Sequence, residues 1–124
     1  MANKIIQLKD GSDNLYPEQP VITGTITDTS GWTIAYSRLV KSGHVVTVTY
    51  NVSGGDLSIT GWNTIGTVPS GFRPPYAIDF CGIDNVNCNS FQAQIAGGGN
   101  IQVYKASGQT INNNVRLHVT YIVD

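Results

Sequence analysis

Trp32-Thr33-Ile34-Ala35-Tyr36-Ser37-Arg38-Leu39-Val40 and His44-Val45-Val46-Thr47-Val48-Thr49-Tyr50-Asn51-Val52-Ser53 flank the short segment Lys41-Ser42-Gly43. Both runs alternate, one residue in two being a large apolar side chain over much of their length. Alternation of that period puts successive side chains on opposite faces of a strand, and a glycine between two such runs marks a hairpin. A three-residue turn at 41–43 pairs Val40 with His44. Arg38 then lies opposite Val46, Tyr36 opposite Val48, Ile34 opposite Tyr50 and Trp32 opposite Val52. This largely apolar face is the expected core. The reverse face carries Thr33, Ala35, Ser37, Thr47, Thr49 and Asn51, with Leu39 and Val45 at one end. It is small and uncharged, and suits either solvent or a close partner subunit.

The rest of the chain has the same character. It holds 13 Ile, 12 Val and 12 Thr against only 5 Leu and 6 Ala. β-Branched side chains pack well on a pleated sheet, whereas the helix builders are scarce. From Val21 onward, strands are expected at about 21–27, 32–40, 44–53, 57–68, 76–81, 88–96, 100–105 and 114–123, punctuated by Gly, Asn and Pro. Such short, evenly spaced strands predict an all-β fold, a single-domain antiparallel β-sandwich or jelly-roll-like barrel over 21–124. Residues 1–20 read differently: a short strand, Ile5 to Leu8, precedes a turn-rich stretch and Tyr16-Pro17-Glu18-Gln19-Pro20. Two prolines would break a sheet ladder, so this segment is expected to be an arm.

A second hairpin turns at Gly97-Gly98-Gly99. Pairing Ala96 with Asn100 sets Ile95 on Ile101 and Ala93 on Val103, facing inward. The outward face then presents Gln94 opposite Gln102 and Gln92 opposite Tyr104: three amides and a phenol, uncharged and rich in donors and acceptors.

Charge excludes several function classes. The formal net charge is −1 and charged residues are 12% of the 124, so no basic field exists to hold nucleic acid or an anionic bilayer. No apolar run reaches membrane-spanning length, and the opening Met1 to Asp10 lacks the apolar core of a secretory signal, so synthesis without export is expected. The chemical inventory is thin. Glu18 is the one glutamate and lies in the arm; the seven aspartates fall mostly in turns. Asp79 and Asp84 are the one pair near each other, a poor basis for acid–base catalysis. His44 and His118 lack a nucleophile motif beside them, and with Cys81 and Cys88 they make a weak zinc case. The cysteines are expected to be free thiols. No catalytic residue, metal or cofactor is expected. Proteins commonly hold sugars with aromatic rings over C–H groups and with amides and carboxylates on hydroxyls. The candidate ligand-binding residues are therefore Gln92, Gln94, Gln102 and Tyr104, with Trp62 as a ring and Asp84 as a carboxylate.

Ile65-Gly66-Thr67-Val68-Pro69-Ser70-Gly71-Phe72-Arg73-Pro74-Pro75 resembles a pattern of phage tail-tip proteins: a strand, (L/V)-P-x-G-(F/Y)-R-P, then another strand. The hairpin at 32–48, the glycine at 82, the strand Phe91 to Ile95 and the glycine-rich turn before Ile101-Gln102-Val103-Tyr104 belong to the same pattern. The opening residues, with Asn14-Leu15-Tyr16-Pro17, are similar to the first residues of tail and baseplate proteins from phages and prophages of Gram-positive bacteria. The chain thus resembles the receptor-binding head domain of lactococcal-type siphophage baseplates over most of residues 32–124. The resemblance implies a β head assembled as a homotrimer that binds host cell-wall saccharide without cutting it, located in the virion tail tip. It also implies attachment to other tail or baseplate proteins through the N-terminal arm. In related heads, polar side chains on the strand after the glycine-containing loop help hold the ligand, and Gln92 and Gln94 occupy those positions. Family members often carry His, Asp or Trp there, and their heads follow a much longer stem. A small accessory tail protein is the corresponding expectation, with a purely structural virion component as the alternative.

Overall fold

The computed structural model describes residues 21–124; the arm expected at 1–20 lies outside them. Nine strands are present among the described residues: β1 (Val21–Gly24), β2 (Thr27–Asp28), β3 (Thr33–Ser42), β4 (Val45–Ser53), β5 (Gly61–Thr67), β6 (Ile78–Asp84), β7 (Asn89–Ile95), β8 (Asn100–Lys105) and β9 (Asn114–Ile122). Every pairing is antiparallel, in the order β1-β3-β4-β9-β6-β7-β8-β5-β2. The all-β expectation holds, with nine strands instead of eight. The segment anticipated as one strand over 21–27 divides. β1 pairs with β3 at one sheet edge and β2 with β5 at the other. Only Thr25 and Ile26 separate them, so the two edges lie within about 10 Å, the reach of three residues. The sheet must curl on itself, and buried Ile26 faces its interior.

Alternation explains what fills that interior. Val46, Val48, Tyr50 and Val52 of β4 and Val115, Leu117, Val119 and Tyr121 of β9 form one wall. Ile65, Phe91, Ala93, Ile95, Ile101 and Val103 form the other. Burying a large side chain of this kind contributes about 1.5–3 kcal/mol. Tyr50 spans the walls: its hydroxyl donates to the Ile65 carbonyl at 2.7 Å, and bare Gly66 leaves room for its ring.

The first hairpin departs from expectation. Its turn is the two-residue Gly43-His44, with Ser42 opposite Val45, and Gly43 takes a positive φ of 60°, as the first central residue of such turns requires. A bulge at Ala35 also shifts the register between Ile34 and Tyr36. The expected inward face is correct for Trp32, Ile34 and the apolar residues of β4. It is inverted from Tyr36 onward: Leu39 is buried, while Tyr36 is 50% exposed and Arg38 faces outward. The actual pairing differs from the expected one by an odd number of residues, which turns a strand over.

The Val68–Pro75 stretch is a clip across one end of the barrel. The Arg73 Nε donates to the Val68 carbonyl, the Tyr121 hydroxyl to the Phe72 carbonyl and the Lys41 Nζ to the Gly71 carbonyl, at 2.8, 2.6 and 2.8 Å. Phe72 is buried beneath the Lys41 ammonium, 5.6 Å from its ring centroid. The Val68 N–H donates to the carbonyl of Gly99, the αL residue of the β7–β8 turn. The resemblance-bearing motif therefore fastens β5, β9 and two turns to one another.

Candidate functional site

β7 and β8 pair as Ala93 with Val103, Gln94 with Gln102 and Ile95 with Ile101, the register derived from the glycine turn. The apolar members are fully buried, so the intervening residues point outward. Adjacent strands extend this surface into two rows. One runs Asp79, Gln94, Gln102, Thr64 across β6, β7, β8 and β5. The next carries Cys81 paired with Gln92, and Tyr104 paired with Trp62.

Neighbours order these side chains. The Gln94 Nε2 donates to Asp79 Oδ1 at 2.9 Å, and the Gln102 Nε2 donates to Thr64 Oγ1 at 3.3 Å. Each of these amides thereby keeps its carbonyl oxygen for a ligand hydroxyl, while exposed Gln92 offers both ends of its amide. Trp62 and Tyr104 meet edge to face with centroids 5.2 Å apart and planes at 66°. That contact braces Trp62, which remains 39% exposed. Rigid strands thus present a nearly uncharged grid of amides beside an aromatic pair, able to hydrogen-bond hydroxyls and cover C–H surface.

The structure brings five of the six candidates together here and places the sixth elsewhere. Asp84 is fully buried. Its Oδ1 accepts from the Val86 and Asn87 N–H groups, and its Oδ2 from the Asn87 Nδ2 and the Asn112 N–H. Desolvation pushes its pKa up, but the hydrogen bonds from Asn112, Val86 and Asn87 outweigh it and hold the carboxyl below the usual value. Buried and with both oxygens engaged, Asp84 holds two loops together on the inner side of the sheet, away from the outward grid. Asp79 and Asp84 are five residues apart on one strand and so face opposite sides; they cannot flank one bond. His118 is exposed with its Nδ1 2.9 Å from Thr49 Oγ1; Cys81 and Cys88 are exposed and unbridged.

A cleft of about 360 Å³ at the other end of the barrel from the clip was not anticipated. Asp56, Ser58, Asn87, Thr110, Asn112 and Asn113 line it, on three loops, two of them tied together by Asp84. Gly54-Gly55-Asp56 and Asn112-Asn113-Asn114 were the available signals, and such clusters read locally as turns.

No family model matches this sequence, and no curated protein does either. Among solved structures, the chain is similar to the crystal structure of the receptor binding protein (gp15) of Listeria phage PSA. The TM-score is 0.63 at 16% sequence identity, over 86% of this chain and 67% of that one. At this identity the likeness is one of fold.

Proposed function

We propose that this chain is a non-enzymatic receptor-binding protein of a phage or prophage tail tip that attaches to host cell-surface saccharide. The observation that carries this reading is the outward grid of Gln92, Gln94, Gln102 and Thr64 beside the Trp62–Tyr104 pair. It stands on a fold shared with a phage receptor binding protein. A shallow, nearly neutral surface binds a sugar weakly. Threefold assembly would raise the effective concentration of heads and turn weak contacts into stable attachment. The exposed Val45–Ile122 cross-strand pair, apolar and uncovered in a single chain, supports burial against a sister subunit.

The test is calorimetric titration with purified cell-wall polysaccharides. Millimolar binding is expected, weakened about tenfold by Trp62→Ala and by Gln92→Ala, with unchanged circular dichroism. Failure of every wall polysaccharide to bind at that concentration would leave a structural virion component as the function.

A further inference from the structure

We infer that a cleft along the seam between β6 and β9 is an anion site, taking a phosphate or carboxylate group carried by a polyhydroxylated ligand. The seam is a short ladder set between two long ones. β9 pairs with β4 along nine residues and β7 with β6 along seven, yet β6 and β9 share only Ile83–Arg116 and Asp84–Val115. The next outward step of that register would match Cys81 with His118, and there the ladder has ended. The strands part, and a cleft of about 320 Å³ opens on the outer surface. Thr49 and Asn51 of β4, Cys81 and Ile83 of β6, and Arg116, Leu117 and His118 of β9 line it, so polar groups of β4 and β9 stand beside an apolar floor.

Its chemistry is one-sided. Arg116 supplies a permanent cation with several fixed donors, beside its cross-strand partner Asn51. Thr49 Oγ1 and His118 Nδ1 lie 2.9 Å apart; in the tautomer in which the hydroxyl donates to Nδ1, the ring's Nε2–H is a further donor. Arg38 stands one strand beyond, opposite Thr49. No carboxylate of the described residues lines the cleft. The two aspartates of β6 are otherwise engaged: Asp79 accepts from Gln94, and Asp84 faces the interior with both oxygens bonded. A guanidinium and neutral donors without a competing acid suit an oxyanion.

The cleft also lies beside the amide grid. Gln92 and His118 sit on β7 and β9 with β6 between them, at least about 10 Å apart, because β6 and β9 have parted at that row. A saccharide a few units long, lying on the grid, would bring a charged substituent to Arg116. The inference therefore rests on the saccharide-binding reading and adds the ligand's charge.

Amide shifts of isotope-labelled protein give the test, with glycerol 1-phosphate and glucuronate as probes and glycerol as the neutral control. Saturable millimolar shifts are expected at Thr49, Asn51, Arg116 and His118 with at least one anion and not with glycerol. Arg116→Gln should weaken them about tenfold, and added salt should weaken them too. Shifts with the phosphate alone identify a phosphate site, shifts with glucuronate alone a carboxylate site, and shifts with both a general oxyanion site. Silence with both anions, an equal response to glycerol, or unchanged binding by Arg116→Gln would overturn the inference. The two readings fail separately. Polysaccharide titration that depends on Trp62 without anion shifts at Arg116 sinks only the anion site; anion shifts at Arg116 without polysaccharide binding sink only the saccharide reading.

Discussion

Asp84 shows how much one side chain can organise. Four N–H donors converge on its carboxylate, from its own β6–β7 loop and from Asn112, 28 residues away. Removing the acceptor would strand buried donors, each costing about 1–3 kcal/mol. Asp84→Ala is expected to destabilise the protein by about 3 kcal/mol, read as a lowered Tm in calorimetry, and to loosen the Asn87 and Asn112 loops. Because the folded carboxyl lies below its usual value, its stabilising effect is present above the carboxylate range and is lost as pH falls through it. Gln92, Gln94, Gln102 and Tyr104 were legible as neighbours from the sequence, because a glycine turn fixed their phase. The burial of Asp84 was not, because Asn112 is distant in the chain and an aspartate near a turn ordinarily faces water.

Elements show a similar division. The β7–β8 hairpin follows from its own residues, whereas the β3–β4 hairpin does not. Lys41, Ser42 and Gly43 read as a three-residue turn where the chain makes a two-residue one at Gly43-His44, and nothing around Ala35 announces a bulge. Only packing of Leu39 into the curled interior decides which face of β3 turns inward. The clip is equally non-local. Gly99 has φ +97°, and an added Cβ there would lie 2.5 Å from the Val68 carbonyl oxygen. Gly99→Ala is expected to cost about 3 kcal/mol, through strain and displacement of the clip. Urea unfolding would measure it as a lower midpoint with an unchanged slope.

For the whole molecule, two buried tyrosines tie distant strands and the clip together and make stability depend on pH in the alkaline range. Burial pushes Tyr50, aided by the Asp28 charge, and Tyr121 up to about 12. An unfolded tyrosine ionises near 10, so between about pH 10 and 12 the unfolded chain releases protons that the folded chain retains. Stability should be unaffected by these groups below pH 10 and fall above it, by at most about 1.4 kcal/mol per pH unit for each tyrosine. Chemical denaturation at pH 8 and pH 11 checks this, and Tyr121→Phe should flatten the decline. Assembly belongs to the same scale. Light scattering at micromolar concentration is expected to return a trimer, and Ile122→Lys, at a position 69% exposed in the single chain, to return a monomer of unchanged fold.

The sequence by itself determined that the chain is built of strands, because side-chain branching and period-two alternation are local steric facts. It also determined which amides share the outer face of β7 and β8, because the turn that phases them lies between them. Tertiary structure alone decided the inward face of β3, the burial of Asp84 and the parting of β6 from β9. Each depends on pairings between segments far apart in the chain, whose register is set only when the sheet curls and one common interior must be filled.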